Sequence, residues 1–229
     1  MRHFSAFFLS AALLSPVAVL AETSGPNILS QGGAAPGGAR IFAMAQDLYQ
    51  IGLSNKDALT VLTAARLAAS IALQEGGELK KETSGTAQNA ANADAQDNAP
   101  PSVIDMLDQA KTLAGEDDLL LSLIEDAEVE GTRGRVGGAI QRLSRLPGGL
   151  TDVWEVPFYG SAQSEIAIIG DGDSNLDVQI ADANGNTICV DLSASDKMMC
   201  DFIPAENGYF YVTVQNKGVE KNSYYLLTN

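Results

Sequence analysis

The stretch GDGDSNLDVQI, Gly170 to Ile180, sets oxygen ligands at alternate positions (Asp171, Asp173, Asn175 and Asp177) and then runs directly into apolar alternation. Its reading decides whether the second half of the chain is organised around a calcium loop or around the acidic mouth of a β-strand. In an EF-hand frame these four residues take positions one, three, five and seven, and Asp182 falls at position twelve. Position six is then Leu176, where the sharp turn of that loop needs glycine, and the positions that follow alternate like a strand. A helix-loop-helix site is excluded. Two readings stay open: a strand-entry loop whose carboxylates hold calcium with help from elsewhere, or a solvated acidic turn.

Outward from this loop the apolar period is two. Trp154, Val156 and Phe158 alternate, as do Ile166 and Ile168; Leu176, Val178 and Ile180; Ile188 and Val190; Met198, Cys200 and Phe202; Phe210, Val212 and Val214; Tyr225 and Leu227. Gly160-Ser161, Asn184-Gly185, Glu206-Asn207-Gly208 and Asn216-Lys217-Gly218 supply turns between them. Seven strands between residues 151 and 229, with an eighth offered by 139–146, predict an antiparallel β-sandwich. Cys189 and Cys200, the only cysteines, fall on successive strands and are expected to form a disulfide. Trp154 shares the phase of Val156 and Phe158 and belongs to the core, whereas Tyr209 and Tyr211 face away from Phe210, Val212 and Val214 and are the candidate ligand face.

Before residue 151 the signals are helical. Met1 to Ala21 reads as a secretory signal peptide, with Arg2 before an apolar run and Val19-Leu20-Ala21 before Glu22. A flexible arm is expected over 22–38, then an αα-hairpin over 39–75. Its first helix carries Ile41, Met44, Ala45, Leu48 and Ile51 and stops at Gly52; its second opens at a Ser54–Asp57 capping box and carries Leu59, Leu62, Ala65, Ala69 and Leu73. Residues 76–101 hold a single apolar side chain larger than alanine, Leu79, and are expected to be a disordered linker. A second helical pair follows over 102–130, opened by a capping box at Ser102–Asp105. An arginine-rich connector then spans 131–150. The fold class is α+β in several parts: N-terminal helical hairpins, a flexible linker and a C-terminal antiparallel sandwich of jelly-roll type.

Composition limits the chemistry. Removal of residues 1–21 leaves 208 of 229 and takes the net charge from −15 to −16, which opposes nucleic acid and anionic membrane as partners. The only histidine, His3, leaves with the leader, so serine–histidine and cysteine–histidine catalysis and histidine-ligated zinc are excluded from the mature chain. Carboxylate-based hydrolysis survives composition, but no spacing singles out an acid pair. No catalytic residue is assigned. No segment after the leader is apolar enough to span a bilayer.

With these residues in view, the run from Asp171 to Ile180, then Asp182-Ala-Asn-Gly-Asn, Gly208-Tyr-Phe-Tyr-Val-Thr-Val and Asn222-Ser-Tyr-Tyr-Leu-Leu resembles the bacterial pre-peptidase C-terminal domain over about residues 151–229. The resemblance implies a jelly-roll-like sandwich, often appended to secreted proteases and in some relatives associated with calcium or polymer binding. No peptidase precedes it here, and the helical half resembles no family. The expected function is a non-catalytic exported protein, periplasmic or extracellular in a Gram-negative bacterium. Its sandwich binds or stabilises an unknown protein or cell-surface polymer, and its helical region docks a partner. The alternatives are a calcium-assisted carbohydrate- or polymer-binding module and a carboxylate-based hydrolase.

Overall fold

From residue 150 onward the chain forms seven strands. They are β5 (Leu150–Phe158), β6 (Ser164–Gly170), β7 (Leu176–Asp182), β8 (Thr187–Asp191), β9 (Lys197–Pro204), β10 (Gly208–Asn216) and β11 (Asn222–Thr228). Four more come from the preceding half: β1 (Ile28–Gln31), β2 (Ala72–Glu75), β3 (Lys80–Gly85) and β4 (Gly138–Leu146). Between these lie α1 (Gly38–Asn55), α2 (Ala58–Ala69), α3 (Val103–Ala114) and α4 (Asp118–Glu130). The fold is known from a computed structural model, which describes residues 25–33, 35–75, 79–88, 98–130 and 138–229. The expected leader, the start of the arm and parts of the linker and connector lie outside the described residues.

The strands form two sheets, ordered β1-β9-β6-β11-β4-β2 and β3-β5-β10-β7-β8, and every pairing is antiparallel except β2 with β4. Trp154, Val156, Ile166, Ile168, Val178, Phe210, Val212, Tyr224 and Leu226 fill the space between them. Phe158, Phe202 and Phe210 meet there, with ring centroids 4.7 to 5.8 Å apart.

The helices are not a separate module. Ala139, Ala167, Ile169 and Leu227, on the other face of the six-stranded sheet, share a second core with Phe42, Ala45, Val61, Leu62, Met106 and Ile124. The molecule is therefore three layers, helices on sheet on sheet. Polar contacts fix α1 in place. The buried Glu165 carboxylate of β6 accepts the Gly37 amide at 2.6 Å and the Arg40 amide at 3.3 Å, satisfying helix N-terminal donors that no neighbouring side chain caps. A Cβ at Gly37 would lie 2.5 Å from that carboxylate, so the close approach needs glycine. Arg40 pairs with Asp201, and Lys197 Nζ reaches Asp47 at 3.1 Å.

Several elements differ from the sequence reading. Helix α1 passes through Gly52 and ends at Asn55, with Lys56 in the left-handed region at φ 54°. Gly52 is the contact with α2: a Cβ there would meet Val61 at 2.7 Å. Asp57, rather than Ser54, caps α2 through the Leu59 amide at 3.0 Å. That helix stops at Ala69, because residues 72–75 leave it to pair with β4. The buried face of α1 is Phe42, Ala45, Gln46, Tyr49 and Gly52, so Met44 and Ile51 stand 51% and 53% exposed instead of entering the core. At the start of α3, by contrast, the capping box is present, with the Ser102 amide donating to Asp105 at 2.8 Å.

The largest departure is β3, which occupies the expected linker. Its register with β5, Lys81 opposite Trp154 and Thr83 opposite Asp152, turns Lys81 and Thr83 towards the interior. Leu79, the lone large apolar residue, packs on the inter-sheet core. Composition misleads here because an edge strand draws its backbone bonds and apolar cover from the sheet it joins.

Candidate functional site

The two sheets have different outer surfaces. One is covered by the helical layer; the five-stranded sheet carries no second layer among the described residues. Period two assigns its outward positions. In β10 these are Tyr209, Tyr211, Thr213 and Gln215, and the register sets Tyr209 beside Pro157 and Tyr211 between Glu155 and Ala181. Tyr209 is 50% exposed and Tyr159, just beyond the end of β5, is 77% exposed. The two tyrosines of β10 are thus about 6.5 to 7 Å apart along one strand on an open face.

Tyr209 and Tyr159 also line a cleft of about 330 Å³ with Pro157, Asn207 and Gly208. Asn207 and Gly208 wall a second cleft of about 400 Å³, lined further by Asn27, Asn184 and Glu206. Aromatic faces therefore lead into amide and carboxylate groups around the 205–208 turn. That turn is held by the residue preceding β1: Asn27 Oδ1 accepts the Glu206 amide at 2.9 Å, and the Asn27 amide donates to Asp182 at 2.8 Å. Asp182 also accepts the Asn184 and Asn186 amides, both at 2.9 Å. Burial pushes its carboxyl up, but the Asn186 side chain and the three amides outweigh that and hold it below the ordinary range. Tyr159 is a candidate stacking ring by residue type alone, whereas Asn207 is a site residue the sequence reading missed; it stands in the bend between β9 and β10, where period two gives no facing.

The acidic stretch is placed on the same sheet as the entry to β7, with its oxygens engaged by protein donors. Asp171 accepts the Asp173 amide at 3.1 Å and the Ser223 amide at 2.9 Å. Burial pushes the Asp171 carboxyl up, reinforced by the Asp173 charge and offset by those amides. Asp177 takes Asn175 Nδ2 at 3.1 Å and lies 3.5 Å from Lys217 Nζ. Asp173 meets Asn98 Nδ2 at 3.5 Å. Asp196, from the loop before β9, accepts the Gly172 amide at 2.7 Å and Asn222 Nδ2 at 3.2 Å. Among the described residues no group of three or more acids, histidines or cysteines is arranged to hold a metal ion.

Cys189 and Cys200 are joined, with their Cα atoms 6.2 Å apart. Their strands are not paired with each other: β8 is the edge of the five-stranded sheet and β9 lies in the six-stranded one. The bridge therefore ties one layer of the sandwich to the other. Gln31 of β1 reinforces the junction by donating to the Ile188 carbonyl at 3.0 Å.

One buried polar cluster has the look of chemistry. Lys81 Nζ lies 2.8 Å from Ser144 Oγ, an arrangement that in an open site would suggest a serine nucleophile with a lysine base. Here Ser144 is buried and donates to Asp152 Oδ2 at 2.6 Å. Thr83 Oγ1 at 2.5 Å and the Tyr224 hydroxyl at 2.7 Å donate to the same carboxylate, and Trp154 Nε1 donates to Tyr224 at 2.7 Å. Burial first, and then the Asp152 charge, push the Tyr224 hydroxyl well up. The cluster is a satisfied clamp joining β3, β4, β5 and β11.

No family model matches the chain, and no curated protein matches it. Among solved structures it is similar to the pre-peptidase C-terminal domain of a collagenase from Bacillus anthracis, at 16% identity and a TM-score of 0.35. That match covers 41% of this chain and 91% of that one. It is also similar to a periplasmic inhibitor of g-type lysozyme from Aeromonas hydrophila, at 15% identity and a TM-score of 0.29, covering 40% of this chain and 84% of that one. The first neighbour comes from the family that residues 151–229 resemble in sequence; the fold described above rests on strand pairing and on neither neighbour.

Proposed function

We propose that this protein is a non-catalytic exported binding module whose ligand face is the outer surface of the five-stranded sheet, and that the ligand is an extended polymer, a glycan chain. The observation that carries this reading is the placement of Tyr209 and Tyr211 on a sheet face that no described residue covers, running into Tyr159 and the amide-lined clefts at the 205–208 turn. Flat rings beside amides and carboxylates suit the alternating apolar faces and hydroxyl edges of sugars. The tie between Cys189 and Cys200 accords with an oxidising compartment, and the absence of histidine after residue 21 removes histidine-dependent catalysis from the mature chain.

Retention of the mature protein on insoluble cellulose, chitin and peptidoglycan tests the proposal. Tyr209→Ala and Tyr211→Ala should each weaken retention by up to about tenfold, since a stacked ring contributes about 1 to 1.5 kcal/mol. Equal retention of the folded double variant on every matrix, or no retention of the unaltered protein, would remove the reading. Docking of a protein through the helices is the second reading, favoured by the exposed Met44 and Ile51; photo-crosslinking from position 48 that yields no adduct removes it.

A further inference from the structure

The side of the molecule opposite Tyr209 holds a larger space. Where the helical layer meets the outer face of β4 and β11, a cavity of about 630 Å³ opens beside the start of α3. This volume falls within the range of small-molecule sites. Phe42, Ala69, Leu73, Val103, Leu107 and Ala127 form apolar walls drawn from four helices and β2. Ser102, Glu128, Gln141 and Tyr225 add polar groups, and the Gln141 side chain hydrogen-bonds the Tyr225 hydroxyl. Ile104, 71% exposed, stands at the rim.

We propose that this cavity binds a small neutral or cationic amphiphile, an aliphatic or aromatic body carrying a hydroxyl or an amine. The walls provide the apolar volume, and Tyr225, Gln141 and Ser102 can exchange hydrogen bonds with an uncharged head. Charge sets the preference. Asp105 acts on the Tyr225 hydroxyl, and Glu128, Asp108 and Glu125 act on Lys111, which is already bound to Glu128 at 2.6 Å. Arg145 also acts on Tyr225, against Asp105. Glu128 is the charged residue of the lining, and its carboxylate disfavours an anionic head and leaves a carboxylate amphiphile the poorer ligand.

The test uses N-phenylnaphthylamine, a neutral probe whose fluorescence rises in apolar surroundings, added to the whole mature protein. Saturable uptake of one probe per chain is expected. Dodecanol and dodecylamine should displace it at concentrations at least about tenfold below dodecanoate, a preference of about 1.4 kcal/mol. Ala127→Phe fills the cavity and should abolish uptake while circular dichroism stays unchanged; if that variant does not fold, Ala69→Leu, a smaller intrusion from a half-buried lining position, repeats the test. No saturable uptake by the folded protein, or uptake unchanged in a folded cavity-filling variant, overturns the site. Equal displacement by dodecanoate overturns the charge assignment. The Tyr209/Tyr211 double variant should keep full uptake, so failure here and failure of the glycan proposal are read separately.

Discussion

If β3 is a strand because Lys81 and Thr83 are clamped by Asp152, replacing Lys81 by methionine should loosen it. The substitution keeps most of the stem over Trp154, where Nζ now sits 5.4 Å from the ring centroid, and deletes the charge. Lys81 Nζ and Asp152 Oδ2 are 3.4 Å apart, and a bare pair at that distance attracts by about 5 kcal/mol at an effective dielectric of about 20. The Lys81 side chain is about a third exposed, so solvent screens much of this. Asp152 is fully buried but keeps hydroxyl donors from Ser144, Thr83 and Tyr224, so its carboxylate is not orphaned. A coupling of about 1 to 2 kcal/mol remains, and loss of the 2.8 Å bond to Ser144 adds about 1 kcal/mol. Lys81→Met should therefore cost about 2 to 3 kcal/mol, a fall of about 1 M in urea midpoint for a slope of about 2 kcal/mol/M. Trp154, the only tryptophan and itself in the cluster, reports the transition. A double-mutant cycle with Asp152→Asn isolates the pair. In Lys81→Met the β3 amides should also exchange faster than those of β10. A coupling below about 0.3 kcal/mol, with unchanged β3 exchange, would refute the clamp.

Replacing Cys189 and Cys200 together by serine should lower stability by about 3 kcal/mol, the chain-entropy value for so short a loop, read as a urea midpoint shift that reductant reproduces in the unaltered protein; no shift would mean that the layers hold without the bridge. Asp182 gives a pH signature: because its folded value is depressed, its contribution is present above the unfolded carboxylate value of about 4 and is lost as pH falls through the folded value. Asp182→Asn should flatten the acid limb of the stability profile below that pH, and an unchanged limb would assign acid sensitivity elsewhere. Melting in calcium and in chelator should coincide, since the Asp171, Asp177 and Asp196 oxygens are engaged by amides, side-chain donors and Lys217; a shift of several degrees would restore a metal reading of the 171–177 loop.

What could be read in advance divides along a physical line. Strands with one face in the core and one in solvent announce themselves by alternation, which is why β7 and β10 were legible to within about two residues, and with them the outward facing of Tyr209 and Tyr211. Strand β6 carries a different mark: Ile166, Ala167, Ile168 and Ile169 are all buried, alternately between the sheets and under the helices. An unbroken apolar run of that kind, repeated in Tyr224 to Leu227, is the signature of a strand covered on both faces. It was the available sign that the helices are packed on the sandwich. The helical stripe pointed the other way: of Ile41, Met44, Ala45, Leu48 and Ile51, Ala45 alone is fully buried, and the core takes Phe42, Tyr49 and Gly52 beside it. Periodicity alone cannot choose between two stripes on one helix; the choice is made by Gly37 and Gly52, whose missing side chains let Glu165 and Val61 approach. Those approaches are relations between segments more than a hundred residues apart for Gly37 and Glu165, and across a turn for Gly52 and Val61, and no local pattern encodes the first. Edge strand β3 fails to be legible for the same reason. Its pairing is set by a carboxylate buried 69 positions further on, at Asp152 opposite Thr83. A polar segment reads as a linker until the sheet that receives it is known.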